Sequence, residues 1–283
     1  KASFPHFLFI IPSLWSGNNA LRKIVGVPSI FCKIYFVLPI KYGMIRNKFF
    51  GLRSERRFDM QLTAPNSETL RQNYYIKAFV YSLVVSALFF LPFILYDNGY
   101  FLFYGDFNVQ EVPFYQLAHD AVRSGSLGWS WITDLGANFI GSYTFYMLGS
   151  PFFWLTLPFP SIAVPYLMGP LLILKFGCAG LTGYIYLKRY LKNPDFAVLG
   201  GMLYAFSGFS VYNIFFNHFH EAIIIFPLML AALDSYVYEK RRGLFGLTVF
   251  ASCLMHYYFF AGQVVFCLIY FVVRLAMKSF RIS

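Results

Sequence analysis

The chain has 283 residues, of which 58% are hydrophobic, 22% aromatic and only 12% charged. A soluble domain carries about twice that charged fraction, and the mean hydropathy of +0.57 points the same way, so an ordinary soluble globule is excluded and an all-α polytopic membrane bundle is expected. The formal net charge of +11 is concentrated at the start, where residues 1–59 hold ten Lys and Arg against two acids; no basic face interleaved with aromatics suits nucleic acid, and no such partner is expected.

Residues 1–59 read as a basic extension, either non-native and poorly ordered or lying against the membrane. Phe4–Leu14 is apolar but too short to span, and Ile24–Ile40 is interrupted by Pro28, Lys33 and Pro39. Met60 opens "MQLTAPNSETLRQNYY", which resembles a cytoplasmic lead into a first span. A spanning helix needs about 20 largely apolar residues. Residues 60–283 supply such runs at Ala78–Tyr96, about 162–187, about 196–215 and about 222–238. Residues 244–277 are too many for one ordinary crossing at about 1.5 Å per residue and are expected to split near His256–Phe260, giving about six spans. With the N-terminus cytoplasmic, eleven Lys and Arg flank the cytoplasmic ends and Arg123 alone lies outside. That asymmetry predicts a multi-pass cell-membrane protein with the loop 97–161 external. Cys178, Cys253 and Cys267 fall in apolar runs, Cys32 lies in the extension, and no CxxC occurs, so buried free thiols are expected.

The external loop is not a hydrophilic linker. It holds Trp129, Trp131 and Trp154, which favour the membrane interface, and five acids: Asp97, Asp106, Glu111, Asp120 and Asp134. After Val112 the apolar positions Phe114, Leu117, Ala118, Ala121 and Val122 follow the spacing of one helix face, with Gln116, His119, Asp120 and Arg123 opposite. Pro113 suits its first turn and Gly125 its end. Some three turns long, it reads as an amphipathic interfacial helix or as a helix packed on the rest of the loop. Asp106 lies just before it. A carboxylate there could act as a general base on an acceptor hydroxyl or ligate a metal; "YGDFN" is also good turn chemistry.

Lys175 sits mid-span in "LLILKFGCAG". A midplane lysine is costly, so it marks either a buried ion pair or a site, and the small residues of "GCAGLTG" permit close helix contact. In "NHFHE", His218, His220 and Glu221 offer polar groups at the outer ends of two spans, and His256 stands at the next outer turn. His-x-His with a neighbouring Glu could bind a metal, but a third well-spaced ligand is lacking. Asp106, Arg123, the histidine pair and His256 share one side of this topology. No P-loop, strand-linked GxGxxG, GxSxG or HExxH occurs.

Together "GDFNVQEVPFYQLAHDAVRSG", "GANFIGSYTFYMLGSPFFWLTLPF", "LYAFSGFSVYNIFFNHFHEAIIIFPLMLAALDSYVYEKR" and "MHYYFFAGQVVFCLIYFVVR" resemble the bacterial YfhO family, within the wider group of GT-C-fold membrane glycosyltransferases. The resemblance runs from about Met60 to the C-terminus. Family members are longer, so it implies the N-terminal portion of such a protein. It further implies sugar transfer from a polyprenyl-phosphate carrier to a cell-envelope polymer such as a teichoic acid, on the outer face and among membrane lipids. GT-C enzymes carry their key acid in the first external loop, where Asp106 stands as the catalytic candidate. The lipid phosphate would need cationic partners, for which Arg123 and Lys175 are candidates, and His218, His220, Glu221 and His256 are further substrate-binding candidates. GT-C enzymes differ over a divalent metal, which stays open. The alternative is a non-catalytic transporter of lipid-linked sugars or an assembly scaffold.

Overall fold

The computed structural model describes residues 68–133 and 135–276; the expected extension 1–59 and Asp134 lie outside the described residues. The first helix, α1, runs Glu68–Tyr96. It stops at the triplet Asp97-Asn98-Gly99. Asn98 and Gly99 both take positive φ, 56° and 95°, and the Gly99 N–H returns to the Ile94 carbonyl at 2.8 Å. Gly and Asn are the residues that enter this left-handed region most cheaply.

The loop that follows is itself structured. It contains a π-helical turn at Phe107–Glu111, α2 at Val112–Ser124, a two-residue hairpin pairing Trp129–Ser130 (β1) with Ala137–Asn138 (β2), α3 at Phe139–Tyr143, a second π-turn at Thr144–Leu148, and α4 at Pro151–Trp154. The bundle resumes with α5 (Val164–Leu187), α6 (Pro194–Ala205), the short α7 (Gly208–Tyr212), α8 (Phe219–Glu239), α9 (Arg242–Met255) and α10 (Tyr257–Ala276). Asn193 caps α6 by accepting the Asp195 N–H at 2.9 Å, with Pro194 in the first turn, as the sequence Asn-Pro-Asp favours.

Among the described residues five helices are long and apolar enough to cross a membrane, where the sequence predicts about six. The split at His256 occurs as expected. But α9 has 14 residues, about 21 Å at 1.5 Å per residue, short of a roughly 30 Å hydrocarbon core. The third expected span is among the five, as Pro194–Phe215, but it is interrupted. It breaks after Ala205, where Ser207 starts α7 by accepting the Ser210 N–H at 3.5 Å. α8 and α5 are the inner helices, with 67% and 56% of their apolar windows buried, while α10 is peripheral at 17%. Cys267 is buried, but Cys253 is exposed on α9 and Cys178 half-buried on α5, so the thiols are free yet not uniformly enclosed.

The largest core joins the loop to the bundle. Phe107, Tyr115, Ala118, Phe139, Tyr143 and Phe153 from the loop pack with Phe90 and Ile94 of α1 and Met168, Leu172 and Phe176 of α5. Helix α2 therefore forms with the expected Pro113 start and left-handed Gly125 end, and it is seated on the bundle. Its buried stripe is Tyr115, Ala118, His119 and Ala121; Phe114, Leu117 and Val122 of the expected face pack against the same core, and His119, expected on the polar side, is drawn inward to the Phe159 carbonyl.

Basic side chains gather at the opposite end of the bundle. Lys77 pairs with Asp195 and Lys188 donates to Tyr75. Arg189 reaches Glu239 at 3.1 Å and Asp234 at 3.7 Å, and Arg274 donates to Tyr238 at 2.7 Å. These are four of the residues the charge asymmetry assigns to one side.

Candidate functional site

The functional candidates converge on a buried polar cluster sunk into the bundle. Lys175 lies eleven residues, about 16 Å, from the start of α5, yet it meets the turn that precedes α8. Its ammonium donates to the Asn217 carbonyl and to Asn217 Oδ1, both at 2.9 Å, and pairs with Glu221 Oε1 at 2.9 Å. All three N–H donors of the ammonium are thereby used. Lys175 is fully buried and Glu221 almost so. The break between α6 and α8 brings non-helical backbone down to the level of this lysine, and such backbone is tolerated at membrane depth where protein encloses it.

The loop descends to the same place. Ser150, 2% exposed, starts α4 by accepting the N–H groups of Phe152 and Phe153 at 3.2 and 3.4 Å, as Ser before Pro commonly does. Its own hydroxyl donates to Glu221 Oε1. The π-turn delivers Glu111, wholly buried, with Oε1 2.5 Å from His218 Nδ1. Burial drives the Glu111 carboxyl well above its usual range; Lys175 pulls it down, and Glu221 and Asp106 push it up. Tyr115 is buried between the two glutamates and is likewise raised, first by burial and then by their charges, while hydrogen bonding to Ser150 and Asn217 pulls it down. Glu111 Oε2 and Glu221 Oε2 have no hydrogen-bond partner among the described residues.

His218 and His256 stack with rings 5.3 Å apart and 4° from parallel. Phe145 sets its edge against both, at 5.0 and 4.5 Å. Burial lowers His218 to about 4 and His256 to about 3, and the His218 ring lowers His256 further. His220 turns away and donates from Nε2 to the Ser210 carbonyl at 3.1 Å.

The imidazoles make stability pH-dependent. The unfolded chain takes up protons as pH falls through about 6.5, while the folded rings resist until about 4 and about 3. The unfolded state binds more protons across that window, so stability is present above about 6.5 and is lost on acidification. Glu111 acts oppositely: its raised carboxyl stabilises below the ordinary carboxylate range, and the contribution is lost as pH rises above it. The unfolding temperature in nanodiscs is expected to fall between pH 6.5 and 4, less steeply in His256→Phe. The same slope in both proteins would contradict the assignment to His256.

Asp106 stands at the rim. It is half-buried, precedes the π-turn and caps it with no side-chain hydrogen bond. Its neighbours Tyr104 and Gly105 lie against Phe215, beside the turn that carries Asn217 and His218, and its charge is felt at Glu111 and His218. Arg123 is elsewhere. It lies twelve residues, about 18 Å along a helical axis, from Glu111, and its Nη1 donates to the Phe159 carbonyl at 2.9 Å, which also accepts from His119 Nε2 at 2.9 Å. So the cluster unites Lys175, His218, Glu221 and His256, leaves Asp106 at its edge, and excludes Arg123. It adds Glu111, Tyr115, Ser150 and Asn217. Among the described residues no three His, Cys, Asp or Glu side chains gather to hold a metal ion.

Five membrane-length helices around a recessed polar cluster define a polytopic all-α membrane protein. The description "Bacterial membrane protein YfhO" matches residues 78–283, and the chain belongs to that family. No curated protein and no solved structure matches it.

Proposed function

We propose that this YfhO-family protein is a glycosyltransferase that moves a sugar from a polyprenyl-phosphate carrier to a cell-envelope polymer such as a teichoic acid, with the loop 97–161 on the outer face. Asp106 takes the proton of the acceptor hydroxyl. The acceptor oxygen bonds to the anomeric carbon on the face opposite the phosphate, and the carbon–oxygen bond to the phosphate breaks with its electron pair leaving on the lipid phosphate. The anomeric centre inverts.

The observation that carries this reading is the state of Asp106. It is a half-buried carboxylate uncommitted to its own turn, beside a polar cluster whose other carboxylates are buried and engaged. A general base needs that availability. An apolar berth for the prenyl chain is also within reach. A cavity of about 280 Å³ lies between α8, α9 and α10, lined by Met229, Leu233, Phe245, Val249, Cys267 and Phe271 among others. Met229 is eight residues, about 12 Å, along α8 from Glu221. The basic residues at the opposite end would face the cytoplasm.

Asp106→Asn in the native protein is expected to lower transfer from a prenyl-phosphate sugar by about a hundred- to ten-thousand-fold, with membrane insertion and donor binding retained. Undiminished transfer would remove Asp106 from the mechanism. Donor binding without turnover in the unaltered protein would favour the transporter or scaffold reading.

A further inference from the structure

We propose that His218 and His256 form a two-imidazole donor site for a phosphate oxyanion, and that Glu111 is the positioning residue that sets it by giving its carboxyl proton to His218 Nδ1. The assignment of that phosphate to a lipid carrier rests on the transferase reading above; the site itself does not.

Lys175 and Glu221 neutralise each other, and all three lysine donors are spent on Glu221 and Asn217. Glu111 is buried beside them with no cation bonded to it; its partner is His218. An ionised Glu111 would leave a buried charged oxygen, Oε2, without any donor, at heavy cost. A neutral carboxyl has one O–H to give, and the short contact to His218 Nδ1 is where it can go. Nδ1 then accepts, and the neutral ring carries its own proton on Nε2.

His256 reaches the same tautomer independently. Its Nδ1 lies 3.4 Å from the Phe259 backbone N–H, which can only donate, so Nδ1 accepts and Nε2 bears the proton. That Nε2 is buried without a partner among the described residues, and the residue is 1% exposed. Two parallel rings therefore each hold an N–H in reserve. His218 also stands at the N-cap of α8, a helix of 21 residues, whose first-turn N–H groups favour an anion. The aromatic edges of Phe145 and Phe219 hold both rings in place. Neutral N–H donors that cannot swing, next to a helix start, suit a phosphate oxygen. The lysine expected from the sequence to serve that phosphate is fully occupied.

The test is ¹⁵N-histidine NMR on the native protein in a phosphate-free maltoside detergent, with His218→Phe and His256→Phe used to assign the two signals. Both rings are expected as neutral Nε2–H tautomers near pH 7. Glu111→Gln keeps the His218 tautomer, because an amide N–H replaces the carboxyl O–H; Glu111→Leu loses it. Farnesyl phosphate shifts both signals, and His256→Phe weakens its binding by about tenfold or more. An imidazolium or an Nδ1–H tautomer at His218 in the unaltered protein would overturn the role of Glu111 without any variant having to fold. Signals unmoved by farnesyl phosphate would overturn the phosphate site. Equal shifts from inorganic phosphate at the same concentration would reassign the site to the free ion and overturn the lipid assignment. Shifted signals in a protein that transfers no sugar would leave the phosphate site standing while the transferase reading falls.

Discussion

Lys175→Met is expected to destabilise the bundle by about 3–5 kcal/mol, the usual cost of removing one partner from a buried ion pair. The lysine is wholly buried and its ammonium satisfies three oxygens, from Glu221 and from the side chain and backbone of Asn217. Without it, Glu221 becomes a charge enclosed by protein with Ser150 as its remaining donor, and the turn that carries His218 loses its anchor. Lys175→Met with Glu221→Leu should recover part of the loss, because an apolar pair of similar volume removes the stranded charge. Recovery is incomplete, since Asn217 and Ser150 still lose their partners. Thermal unfolding in nanodiscs measures both proteins. This also separates the two roles the sequence leaves open. A lysine kept only to bind substrate would give a Lys175→Met protein that unfolds at the normal temperature and fails in binding alone, and that result would refute the structural pair.

The features legible in the sequence are those whose signal is local. Membrane-length apolar runs, the Pro113–Gly125 bracket around α2 and the split at His256 follow from neighbouring residue types. A single lysine in an apolar run announces a partner by its cost alone. What stays hidden is which partner. Glu111 is one of five loop acids, and its imidazole is 107 positions away, so nothing nearby distinguishes it from Asp97 or Asp120. Val112 and Pro113 after Glu111 are apolar but Gln110 before it is polar, so the local context gives no sign that it turns inward. Ser150 carries a cap signature with Pro151, but its second bond, to Glu221, is tertiary. Arg123 shows the converse. It looks unpaired in the sequence because its partner is a backbone carbonyl at Phe159, invisible to any count of acids. The break in the third span was readable from Ser207-Gly208, a helix-start pair inside an apolar run, but apolar length masked it.

Gly201→Ala is expected to lower stability by about 1–3 kcal/mol, the range of core overpacking, although Ala is ordinarily the better helix former by about 1 kcal/mol. A methyl at Gly201 would lie 2.5 Å from the Gly180 carbonyl oxygen and 2.8 Å from the Tyr184 nitrogen. Both are backbone atoms, so α6 must move away from α5 as a unit. On the other side of α5 a methyl at Gly180 would meet Ser82 Oγ of α1 at 1.9 Å and its Cβ at 2.6 Å. The two glycines thus let three helices share one thin seam, as small residues do where lipid supplies no hydrophobic drive for association. The neighbouring Gly200 gives the control. A methyl there meets only Leu187 Cδ1, at 2.6 Å, before open space, and a leucine tip can rotate, so Gly200→Ala should be near neutral. Gly246→Ala on α9, with nothing within 4 Å, should gain the ordinary helix preference. Thermal unfolding of the three variants tests the seam: equal midpoints for Gly201→Ala and Gly200→Ala would mean that α6 and α5 are not in backbone contact. Because α6 leads into the turn bearing Asn217 and His218, a displaced α6 should also disturb the imidazole pair, so Gly201→Ala is expected to shift the His218 signal although it lies at the other end of the break.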